Sequence, residues 1–65
     1  MGFKEMRLAA NLSVLDVQKA LNISDATIYY WESGKTRPTA KNLIRLANLY
    51  QCSVDDLLKE QEMNE

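Results

Sequence analysis

The stretch from Ser13 to Gly34, SVLDVQKALNISDATIYYWESG, constrains this chain more than any other. Ser13 stands where an N-cap belongs, and Asp16 three residues on completes a short-armed capping box. Val17, Ala20 and Leu21 then share one face at i, i+3 and i+4. Asn22 comes next, a residue that tolerates the left-handed backbone of a sharp turn. Ile23 points back inward, and Ser24 caps a second helix. Turning about 100° per residue along that helix puts Ile28, Trp31 and Glu32 inward. Ala26, Tyr30 and Ser33 fall opposite, flanked by Asp25 and Tyr29 on one side and Thr27 on the other. The helix ends at Ser33-Gly34, with glycine suited to the positive φ just past a helix. The stretch therefore predicts two short helices joined by a turn of three or four residues. Spacing alone does not say what such a unit binds.

The rest of the chain reads as helices built around that unit. Phe3, Met6 and Ala10 form a stripe over residues 3–10, ended by Asn11, and Leu12 is placed to pack ahead of the Ser13 cap. Lys35-Thr36-Arg37-Pro38-Thr39 is a loop, because proline disfavours helix at the residue before it, and Thr39 can cap the next helix. Residues 40–50 make that fourth helix, with Leu43, Leu46, Ala47 and Tyr50 inward. After a turn at Gln51-Cys52, Ser53 and Asp56 repeat the capping-box spacing at the head of a fifth helix that carries Val54, Leu57 and Leu58. Residues 61–65 are expected to fray. At 65 residues the chain supports one domain, with a core over 3–58 and one set of buried side chains. The expected fold is all-α, a compact bundle of five short helices.

Composition removes several function classes. No apolar run approaches the roughly 18 residues of a membrane span, and no signal peptide is evident. The single cysteine, Cys52, rules out an internal disulfide, and with no histidine an ordinary zinc site is implausible. The lack of histidine also removes the commonest general base, and no phosphate-cradling glycine loop or paired carboxylates point to catalysis. A non-enzymatic, cytoplasmic protein without metal or cofactor is expected.

Charge is unevenly spread. The net charge is −1 and the sequence pI about 5.3, yet residues 1–45 hold seven Lys/Arg against four acids, net +3, and residues 46–65 hold Lys59 against five acids, net −4. From Ser33 to Arg45 there are four cations and no acid. A basic surface with an acidic end suits an oriented approach to a polyanion; a plainly solvated charged surface is the alternative.

These pieces together resemble the Cro and lambda-repressor-like (XRE-type) helix-turn-helix family from Phe3 to Leu58. The resemblance rests on Arg7, on the frame Val17, Leu21, Ile23, Ile28 and Trp31, and on Trp31-Glu32-Ser33-Gly34-Lys35 leading to Arg37-Pro38. It extends through Leu46-Ala47 and Cys52-Ser53-Val54-Asp55-Asp56-Leu57-Leu58. It implies a transcriptional regulator, a repressor above all, that binds double-stranded DNA as a homodimer on a palindromic operator. The helix from Asp25 to Ser33 then enters the major groove, making Ser24, Asp25, Ala26, Thr27 and Tyr30 the base-edge candidates. Tyr29, Ser33, Lys35, Thr36, Arg37 and Lys41 become phosphate candidates. Arg7 and Glu32 form a structural ion pair, and Tyr50, Cys52, Val54 and Leu58 fall where the family tends to dimerise; core packing is the alternative for those four.

The departures from the family are informative. No Arg, Lys, Asn or Gln stands among the base-edge candidates, so bidentate reading of guanine or adenine is not available to them, and DNA shape gains weight. Ala26 and the Thr27 methyl can meet thymine methyls. Val14 replaces the glutamine with which the family braces the phosphate backbone, Leu15 projects outward beside it, and Gln18 replaces a small residue. Val14, Leu15 and Asp25 open a second possibility, in which this surface meets a protein partner as an antirepressor or antitoxin-like domain does. A plainer alternative has Val14 folded under the domain and Leu15 an ordinary exposed leucine.

Overall fold

The structure, a computed structural model, describes residues 2–62 and the side chains of residues 2–58. Five helices succeed one another: α1 (Phe3–Ala9), α2 (Val14–Leu21), α3 (Asp25–Ser33), α4 (Ala40–Tyr50) and α5 (Val54–Glu62). Their starts are written in the sequence. The Ser13 oxygen accepts from the Asp16 N–H at 3.1 Å while the Asp16 carboxylate accepts from the Ser13 N–H at 2.9 Å. Ser53 and Asp56 repeat that exchange at 3.0 and 3.3 Å. Ser24 and Thr39 each accept one amide, from Thr27 and Asn42. Each bond satisfies a donor that a helix start leaves unpaired.

The helix ends use the left-handed backbone. Asn11, Asn22 and Gln51 lie there with φ of 61°, 59° and 55°, and Gly34 has φ 82°. A Cβ on Gly34 would meet nothing within 4 Å, so glycine is favoured there by backbone conformation and not by space. The first helix stops at Ala9, one residue short of the expected end, since Ala10 forms its C-cap and Asn11 turns the chain. The last helix keeps helical backbone through Gln61 and Glu62, where fraying is expected from the sequence; residues 63–65 of that expectation lie outside the described residues.

Every helix contributes to one core of Phe3, Met6, Val17, Leu21, Ile28, Trp31, Leu46, Ala47, Tyr50 and Leu57. Ala10, Leu12, Ile23, Leu43, Val54 and Leu58 pack around it half-buried. Ala20 departs from the expected inward stripe of α2: it is exposed, because Val17 and Leu21 suffice to fill the contact. Both α1 and α2 lie against α4 as well as α3, and α1 and α4 lie against α5. The third helix rests on α1 and α2, which leaves its other side to solvent.

Candidate functional site

The exposed side of α3 is positioned by one buried ion pair. The Arg7 guanidinium, only 7% exposed, donates through Nε to Glu32 Oε2 at 2.7 Å and through Nη2 to Oε1 at 3.3 Å. Its Nη1 donates to the Leu12 carbonyl at 3.0 Å. This forked geometry ties α1 to the last turn of α3 and to the segment entering α2. The hydrogen bond that Arg7 donates to Glu32 raises the Arg7 pKa above its ordinary value, partly offset by burial. Arg7 and Glu32 thus form the pair expected of them. Tyr50 is buried beside this pair; desolvation, followed by the charge of Glu32, pushes its phenol up.

Around that tie the base-edge candidates separate into two kinds. The short polar ones are engaged with their own helix. Ser24 Oγ accepts the Thr27 amide and shares a hydrogen bond with Thr27 Oγ1 at 2.9 Å. The Asp25 carboxylate accepts the adjacent Ala26 amide at 2.7 Å. Ala26 and Tyr30 face solvent, as does Tyr29 from among the phosphate candidates, with Tyr29 54% and Tyr30 42% exposed. The two tyrosines are the large side chains of α3 that face solvent.

The phosphate candidates divide in the same way. Ser33 donates its hydroxyl to the Tyr30 carbonyl at 3.2 Å, so that proton serves the helix end. Lys35, Thr36, Arg37 and Lys41 are exposed. The Tyr30 carbonyl also accepts the amides of Lys35 and Thr36 at 2.9 and 3.3 Å, which fixes the start of the loop. Lys35 Nζ sits 4.7 Å from the centroid of the Tyr30 ring, a cation–π pairing that holds charge and aromatic face together.

An open groove of about 550 Å³ runs beside these residues, lined by Lys4, Arg7, Val14, Tyr29, Tyr30, Glu32, Ser33 and Lys35. With Arg7 and Glu32 neutralising each other, Lys4 and Lys35 supply its free charge. Lys4 is absent from the residues the sequence picks out, although its i, i+3 spacing to Arg7 puts both on one face of α1. Val14 packs half-buried against the core and lines this groove, whereas Leu15 stays 54% exposed. The structure also takes one cation out of the basic stretch: Arg45 is half-buried and its guanidinium bonds to backbone carbonyls of α2.

The candidate dimer residues fare unequally. Tyr50 belongs to the core and offers almost no surface to a second copy, because the Leu46, Ala47 and Tyr50 stripe is the inward face of α4. Cys52, Val54 and Leu58 are half-buried. Burial, with a smaller contribution from Asp56, pushes the Cys52 thiol up, as suits a small packing residue. Among the described residues no cluster of His, Cys, Asp or Glu could hold a metal ion, and no helix is long and apolar enough to cross a membrane.

Comparison with known proteins places the chain as a whole. A family model described as helix-turn-helix matches residues 3–57. The chain is 49% identical over 35 residues to the HTH-type transcriptional regulator DicA of Escherichia coli, covering 54% of this chain and 26% of that protein. It is 42% identical over 41 residues to Repressor protein C2 of Salmonella phage P22, covering 63% of this chain and 19% of that one. The chain therefore matches about a quarter and a fifth of the length of these two relatives. No solved structure matches it.

Proposed function

The chain belongs to the helix-turn-helix family, and from that premise we propose that it is a DNA-binding transcriptional regulator acting as a repressor. Two copies bind a palindromic operator in the cytoplasm, their α3 helices entering successive major grooves roughly 34 Å apart. The observation that carries this reading is the surface of α3: Tyr29, Tyr30 and Ala26 face solvent, with Lys4 and Lys35 beside them and Arg37 and Lys41 exposed in the adjoining loop and the start of α4. The cations hold the phosphates and supply salt-dependent affinity. The α3 surface selects the sequence through thymine methyls, sugars and groove shape.

The names of the two relatives, a transcriptional regulator and a repressor, support the same assignment. In the dimer, Cys52, Val54 and Leu58 contribute the facing surface at the turn into α5. The experiment is selection from a randomised duplex pool at moderate salt, followed by titration of the winners at two salt concentrations. Enrichment of a palindrome whose affinity falls steeply with salt is the expected result; a folded protein that enriches nothing contradicts it.

One observation favours a second reading. Leu15 is 54% exposed next to Val14, and α3 carries no side chain able to read a purine bidentately. On that reading the same surface meets a protein partner, and the selection returns no sequence.

A further inference from the structure

Arg45 stands apart from the other cations of the basic stretch. Its Nη2 donates to the carbonyl oxygens of Leu21 at 3.3 Å and Ala20 at 3.5 Å, and Nη1 donates to Asn42 Oδ1 at 3.5 Å. Among the described residues the ion pair is Arg7–Glu32, and no carboxylate engages Arg45. The two carbonyls belong to the last turn of α2. A helix ends with four carbonyls that lack intrahelical donors and carry partial negative charge. The carbonyl of Gln18, just before them, takes the helix's last i, i+4 bond from the amide of Asn22 at 2.7 Å and a second from Ile23 at 3.3 Å. Those of Ala20 and Leu21 are served from α4.

We propose that Arg45 is a positioning residue for DNA recognition: it caps α2 from α4 and thereby fixes the turn Asn22–Ser24 from which α3 departs. The third helix rests on α1 and α2. Arg7 and Glu32 hold its end to α1, and Arg45 holds its beginning, through α2, to the helix whose first turn carries Lys41. The reading surface and the phosphate-holding surface are thus set in register by a side chain that itself touches no phosphate. The functional consequence rests on the DNA-binding function proposed for α3; the brace itself does not.

The test uses the full chain, with Arg45→Met and Arg45→Lys, in two measurements. In amide hydrogen exchange, Arg45→Met speeds exchange at Asn22 and Ile23 by roughly fivefold relative to the amides of α5, the size of one helix-end interaction, and Arg45→Lys restores most of the protection. In titrations of a selected duplex and its scrambled counterpart over a salt series, Arg45→Met lowers the ratio of the two affinities roughly fivefold. The dependence of log affinity on log salt stays that of the unaltered chain, and Arg45→Lys recovers the ratio. A salt dependence shallower by about 0.9, with equal losses on both duplexes, makes Arg45 a phosphate contact and overturns the proposal. An unchanged affinity ratio or unchanged exchange at the turn also overturns it. If the unaltered chain prefers no duplex, the DNA reading fails, and the exchange measurement alone decides the brace. Should Arg45→Met not fold, Arg45→Gln, which keeps a donor without the charge, replaces it in both measurements.

Discussion

On the inward face of α3, Ile28 and Trp31 are 1% and 5% exposed and Glu32 is gripped by Arg7 through two bonds, whereas on the outward face Tyr29 and Tyr30 stand half in water. The inward face has one physically acceptable arrangement, because an unpaired Glu32 or a displaced Trp31 would cost burial or leave a charge stranded. The outward face is under no such demand from the fold. Its short polar residues, Ser24, Asp25, Thr27 and Ser33, turn back onto the helix they belong to, and its long residues reach out. Stability is thus concentrated on one side of the helix and recognition on the other.

The largest test of this contrast is removal of the inward anchor. Arg7→Leu leaves the Glu32 carboxylate buried without its partner and is expected to lower unfolding free energy by about 3–5 kcal/mol in urea titration. The double variant Arg7→Leu with Glu32→Leu should recover a large part. A loss below about 1 kcal/mol would equate the pair with a surface ion pair and erase the contrast. Next, Gly34→Ala should cost roughly 1–2 kcal/mol although its new methyl touches nothing, since the cost is that of a positive φ. Gly34→Asn should cost clearly less, and equal losses would point to crowding instead.

On the outward side, Leu15→Gln should change stability by no more than about 0.5 kcal/mol and leave duplex affinity unaltered. A loss of affinity for DNA would make Leu15 part of that interface. The smallest effect is one of pH. The Ser13 backbone N–H, and then its hydroxyl, hold the Asp16 carboxyl below its usual pKa. A depressed folded-state pKa gives stability that is fully present above the unfolded value and lost as pH falls through the folded one. Thermal melts of Asp16→Asn should therefore fall short of those of the unaltered chain at pH 6, and the gap should begin to close only as pH drops below about 4. Parallel curves would show that the cap acts without the charge.

The same division governs how much of the molecule is legible in its sequence. Helix starts and ends are local matters, so Ser13 with Asp16, Ser24, Thr39 and Ser53 with Asp56 announce the starts, and Asn22 and Gly34 announce two of the ends. Gln51 gives no such signal, because glutamine is not a residue that marks a left-handed turn, yet it adopts one at φ 55°. Helical spacing misplaces Ala20 because it defines a stripe two or three residues wide, and only the neighbouring helices decide its edge. For Tyr50 helical spacing already points inward, and only the resemblance to the family offers it to a partner. The hydroxyls of Thr27 and Ser33 look free because a sequence shows that a side chain is polar but not which nearby group has claimed it. Lys4 and Arg45 depend on contacts between distant segments, and in the sequence Arg45 counts as one more surface cation; only the fold brings the carbonyls of α2 beside it.

The most direct measurement is a comparison of Tyr30→Ala with Lys35→Ala on the selected duplex, point variants of that duplex and random DNA. Tyr30→Ala is expected to reorder the preferred sites while leaving affinity for random DNA nearly intact. Lys35→Ala is expected to weaken all of them alike and to reduce the salt dependence by about 0.9. Equal losses from both variants on every duplex, random DNA included, would contradict sequence recognition by the outward face of α3.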